Sequence, residues 1–174
     1  LVTYVSLWST ASDPWVQTST SCGFYEFGQY WNLNRTGVSR TLAHFLSGKA
    51  TGGGVAWVGV LCNGAFGVSG LTCQAPLPAS GSFGGAYAFS GSLTGTFNLS
   101  SPSPMWDIIV VSHETGHNFG SPHTHCYKNV GGNTNPVDRC YTAQSGANCA
   151  APADGAQALP GPGSLTRSEE HTSE

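Results

Sequence analysis

Apolar positions in this chain switch between a period of two and a helical period of about 3.6, and each switch marks an element. Val2, Tyr4 and Ser6 fall on one side and Val5 and Leu7 on the other. That alternation predicts a strand over residues 1–8, broken at Asp13-Pro14. Phe27, Tyr30 and Trp31 follow at helical spacing and predict a short helix over residues 26–32. Val38, Leu42, Phe45 and Leu46 predict a second helix, closed by Gly48. The aromatic side chains of both segments read as core.

Gly52-Gly53-Gly54 then opens a β-rich run over residues 55–61. Cys62-Asn63-Gly64 reads as a turn, with residues 66–71 returning as the hairpin partner. Residues 76–103 are rich in Gly, Ser and Pro and predict loop with short strands. Ser103-Pro104 has the form of an N-cap followed by proline in the first helical position. The predicted helix runs from 104 to 118 or 119 and stops at Gly120, with Asp107 complementing the dipole of its first turn. Its run Ile108, Ile109, Val110, Val111 is apolar nearly all round, which predicts a buried helix.

Composition narrows the class. The 174 residues suit one domain. Charged residues are 9% of the chain and the net charge is -3, while 5 Trp, 6 Tyr and 8 Phe supply a core, so the chain should fold. No basic balance points to nucleic acid, and no apolar run is long enough for a membrane segment. Six Cys in a Gly-, Ser- and Thr-rich chain favour an oxidising, secreted or extracellular setting. Their pairing is open from sequence, although Cys126 suits a disulfide with Cys140 or Cys149. The start Leu-Val-Thr-Tyr has neither Met nor a basic leader and reads as internal. The sequons at Asn34 and Asn98 matter only in a eukaryotic secretory host.

The chemistry concentrates in residues 113–123, which spell H-E-x-x-H-x-x-G-x-x-H. His113 and His117 are one helical turn apart on one face, so two imidazoles can reach one ion. Glu114 lies beside them, placed to take a proton from water on that ion. Gly120 can adopt positive φ and return His123 as a third ligand, leaving a fourth position open. Three protein ligands with an open position is the pattern of catalytic rather than structural zinc. The bland alternatives are incidental surface histidines, a structural zinc site, or a separate cluster of His123, His125 and Cys126. His44 reads as a residue on a helix face.

These residues match the metzincin signature, and the wider chain resembles the adamalysin or reprolysin branch of zinc metallopeptidases. Phe27-Gly28-Gln29-Tyr30-Trp31 resembles that branch's Phe-Gly-x-Trp helix, and Ala43-His44-Phe45-Leu46-Ser47-Gly48 its Ala-x-Leu-Leu-Thr-Gly segment. Gly54-Val55-Ala56-Trp57-Val58-Gly59-Val60-Leu61-Cys62 resembles its Gly-x-Ala-Tyr-x-Gly-x-x-Cys edge strand. The resemblance implies an α+β, zincin-like fold, a twisted mixed sheet with an edge strand over the zinc-binding helix. It also implies one catalytic Zn2+ and endopeptidase cleavage of protein or peptide substrates. Val55, Ala56, Trp57, Val58 and Gly59 would then bind extended substrate by strand addition. The alternative is a secreted, zinc-containing binding module without protease activity.

The sequence differs from that branch at three places. Thr124 follows the third histidine where the branch has Asp, and Arg40-Thr41 stands where it has His-Asp. The only Met is Met105, so no Met-turn follows His123. Residues 167–174 read like a translated sequencing adapter. Residues 1–166 are therefore expected to be a partial catalytic domain, incomplete at both ends and poorly active as it stands, with 167–174 a non-native tail.

Overall fold

The structure is a computed structural model that describes residues 2–10, 12–96, 105–121 and 123. In chain order it holds α1 (Thr20–Asn34), β1 (Ala43–Leu46), β2 (Gly54–Ala56), β3 (Phe66–Ser69), β4 (Ser80–Gly84), β5 (Tyr87–Ser90) and α2 (Trp106–Asn118). β1, β5 and β2 form a mixed sheet in that order, with β1 parallel and β2 antiparallel to β5. β3 and β4 form a separate antiparallel pair.

Side-chain alternation gives the sheet two different faces. Ala43, Phe45, Val55, Tyr87 and Phe89 turn toward α1 and join Trp15, Phe24, Phe27 and Trp31 in one aromatic core. Phe45 stacks on Phe27 at 5.2 Å between centroids and meets Phe89 edge-on at 5.2 Å. Such pairs each add about 0.5–1.5 kcal/mol beyond the area they bury. The opposite face carries His44, Gly54, Ala88 and Ser90, mostly small side chains, and α2 lies against it. The fold is thus three layers, α1, sheet and α2, with β5 covered on both sides.

That arrangement corrects several sequence expectations. Residues 2–9 form no strand: no described residue offers them a ladder, and aromatic contacts hold them instead. Trp8 packs on Trp15 at 5.0 Å and on Tyr30 at 5.8 Å, and Tyr4 on Trp31 at 5.9 Å. The helix expected over 26–32 begins earlier, because the Ser19 hydroxyl caps it by accepting the Cys22 N–H at 3.3 Å. The segment expected as a helix over 38–46 yields the strand β1 instead. Its apolar spacing fits either element, and β5 supplies a pairing edge that a helix could not use.

Strand β2 is shorter than the run 55–61, because Gly59 takes a φ of 68° and the chain turns away. Residues 66–69 do not return onto it but pair with β4. The stretch 76–103 holds the central strand β5, whose Tyr87, Ala88, Phe89 and Ser90 are all buried. Cover on both faces removes the polar–apolar alternation by which a strand is usually read. Helix α2 is buried on one side only, since Ile108 is 45% exposed. It starts at Trp106 with no side-chain cap at Met105. Ser103 and Pro104 lie outside the described residues, as do Asn98, Thr124, His125, Cys126, Cys140, Cys149 and the 166/167 boundary.

A disulfide joins Cys22 in α1 to Cys73, across 51 positions of sequence, and Cys62 is exposed and has no disulfide partner among the described residues. Among the described residues no helix is long and apolar enough to cross a membrane.

Candidate metal centre

Helix α2 is fixed on the sheet by its buried positions. Val110 and Asn118 are buried, and Asn118 donates its side-chain N–H groups to the carbonyls of Trp57, just past β2, at 2.9 Å and Tyr87 of β5 at 2.8 Å. The end of the helix is capped by backbone from the other side. The N–H of Gly59 donates to the His117 carbonyl at 2.9 Å, and that of Val60 to the Asn118 carbonyl at 3.1 Å. These bonds satisfy carbonyls that a helix C-terminus otherwise leaves orphaned. Gly120 then takes a φ of 93° and reverses the chain, as its place in the motif predicts. Gly59 and Gly120 meet where the strand extension crosses the turn: a Cβ built on either would lie 3.7–3.8 Å from the other's Cα.

The reversal brings His123 back to His113 and His117. Their three Nε2 atoms lie 2.9 Å (113–117), 3.1 Å (117–123) and 3.2 Å (113–123) apart. Two nitrogens bound at about 2.0–2.1 Å to one tetrahedral ion keep a separation of about 3.3 Å, so the triangle is close to ligand geometry. The tautomer of one corner follows from its other nitrogen. His117 Nδ1–H donates to the Ser121 carbonyl at 2.6 Å, which leaves its Nε2 as a lone pair aimed at the other two rings. Burial, aided by the neighbouring His113, pushes the His117 pKa down against the opposing pull of the Ser121 carbonyl. The ring is therefore held in the neutral form a metal requires. The donor set, three converging imidazoles with a carbonyl behind one of them, fits a borderline divalent cation.

Glu114 is buried beside this triangle, on the side of α2 that faces β2. Gly54 leaves the space for it: a Cβ there would stand 2.5 Å from Glu114 Oε1. Asn118 has no mark in the sequence, and Gly54 stands there only as the first glycine of the edge-strand resemblance, with nothing to tie it to Glu114, because each acts through an approach between segments remote in the chain. Gly116, by contrast, has no steric demand on it, since a Cβ would meet only the Ser121 side chain at 4.0 Å.

The five residues of the expected substrate strand have divided tasks. Gly91 N–H donates to Gly53 O at 3.0 Å and Trp57 N–H to Tyr87 O at 3.4 Å, so the ladder to β5 uses positions 53, 55 and 57. The Val55 and Trp57 side chains pack toward α1, Trp57 against Phe24 at 5.4 Å and Phe66 at 5.2 Å. The Gly59 N–H is held by α2. Gly54 and Ala56 occupy the alternate positions, whose backbone groups face away from β5 along the sheet edge. Val58 is 47% exposed just beyond them.

No curated protein and no solved structure matches the chain. A family model of the reprolysin type, described as metallo-peptidase family M12, matches residues 25–157. That span takes in α1 from Tyr25 onward, both sheets, α2 and all three histidines, and on this match the chain belongs to metallopeptidase family M12, whose members hydrolyse proteins with a bound metal.

Proposed function

We propose that this chain carries the catalytic centre of a secreted zinc endopeptidase, with His113, His117 and His123 as the metal ligands and Glu114 as the general base. The observation that carries the reading is the closed triangle of Nε2 atoms with a buried carboxylate one residue along the helix. Zinc held by three imidazoles would polarise both a water and the scissile carbonyl at its open position. Glu114 accepts the proton of the attacking water and passes it to the leaving amine. His117 stays oriented by its bond to the Ser121 carbonyl throughout. The edge of β2 receives substrate as an added strand, with Gly54, Ala56 and Val58 offering the backbone groups. Secretion is supported by the Cys22–Cys73 disulfide, a bond that persists in oxidising compartments.

The test is Glu114→Gln measured beside the parent chain, with zinc content and cleavage of a denatured protein both recorded. The expected result is full zinc occupancy with turnover reduced by about 10²–10⁴-fold. Zinc binding with no chelator-sensitive cleavage, both by the parent and by the same domain extended at its two ends, would instead favour a zinc-containing binding module.

A further inference from the structure

His44 is not on a helix face. It sits at the second position of β1, paired with Ala88, and its ring enters the layer between the sheet and α2. Its Nε2 lies 2.8 Å from Ser90 Oγ, and its Nδ1 3.3 Å from Thr115 Oγ1. The directions of these bonds follow one from another. Thr115 donates its hydroxyl proton to the Val111 carbonyl at 2.7 Å, so toward His44 it can only accept. His44 must then donate through Nδ1–H, and its Nε2 accepts from the Ser90 hydroxyl. One neutral tautomer therefore ties β1, β5 and α2 together.

The place of Thr115 on the helix gives this chain of bonds its consequence. At about 100° per residue, Thr115 lies nearly opposite the face that carries His113 and His117. Glu114 and Asn118 fall between, facing β2 and β5. Rotation of α2 on the sheet is thus fixed at three points, and His44 supplies the one furthest from the metal face. We propose that His44 is a positioning residue for the metal centre: through Thr115 it sets the rotation at which α2 presents its histidines and Glu114. The proposal rests on the metal-centre reading above, and metal sites lose function when ligands move by about 0.5 Å.

The test is titration of the chain with Co2+, whose visible absorption reports ligand geometry. His44→Leu and Thr115→Val should each weaken Co2+ binding by about 10-fold and alter the absorption bands, the size usual for residues behind metal ligands. The double variant should be no worse than either single one. His44→Gln, which keeps one donor and one acceptor, should restore binding to within about 3-fold. Thr115→Val preserves side-chain shape and carries the same test should His44→Leu fail to fold. A lowered melting temperature with parental Co2+ affinity and spectrum in both variants would overturn the proposal, as would losses that add in the double variant. A parent chain that binds no Co2+ would overturn the metal-centre reading itself and this inference with it.

Discussion

Gly54 on the edge strand and Glu114 on the helix are in such close approach that a Cβ on the first would stand 2.5 Å from Oε1 of the second. No side chain fits that gap without displacing the carboxylate. Gly54→Ala should therefore leave metal content unchanged and lower kcat by about 10–100-fold, part of the full worth of a general base. Metal analysis beside steady-state kinetics checks it, and a parental kcat would show that Glu114 is not set by β2.

Ala56 provides a way to separate substrate pairing from sheet integrity. Its N–H lies outside the ladder to β5, whereas that of Val55 lies within it. Ala56→Pro is expected to raise KM by about 10-fold, the worth of one lost hydrogen bond, with a melting temperature near that of the parent. Val55→Pro should unfold the edge strand. Equal thermal losses in the two variants would count against the assignment of outward groups.

Asn118 is fully buried and joins α2 to both Trp57 and Tyr87. Asn118→Ala removes two donors from buried carbonyls and should cost about 2–4 kcal/mol in denaturant unfolding. A loss under about 0.5 kcal/mol would mean that other groups hold the helix.

Cys22–Cys73 closes a loop spanning 51 positions and ties α1 to the segment before β4. Cys22→Ser with Cys73→Ser should lower stability by about 2–4 kcal/mol and leave Co2+ binding intact in the folded fraction. Calorimetry with and without reductant provides the comparison.

Burial lowers the His44 pKa to about 4 from the ordinary 6.5 of a solvated imidazole. Between those values the unfolded chain binds a proton that the folded chain refuses. Stability from this group is therefore complete above about pH 6.5 and declines as the pH falls toward 4, by roughly 3 kcal/mol in all. Urea unfolding across that window should show a steeper slope in the parent than in His44→Gln, which keeps only the part that the lowered pKa of His117 supplies. An identical slope in both would assign the acid sensitivity elsewhere.

The chemistry of the centre was readable in one dimension because its spacing is local. His113 and His117 share a face by helical periodicity, and Gly120 permits the turn that returns His123. Helix α2 ended where that glycine required. The sheet was less legible. Phe45 and Leu46 suit a helix as well as a strand, and only the neighbouring β5 decided between them. The Gly- and Ser-rich stretch 76–103 predicts short strands, but the central place of β5 among them was not legible, since burial on both faces removes alternation. The tasks of His44, Gly54 and Asn118 have no local signature, because each matters through an atom contributed by a distant segment: Thr115, Glu114 and the carbonyls of Trp57 and Tyr87. Sequence determined which groups can bind a metal and move a proton, since that depends on residue type and on spacing within one helix and its turn. The tertiary structure alone decided how that helix is rotated and which backbone groups remain at the sheet edge, because both depend on contacts between layers.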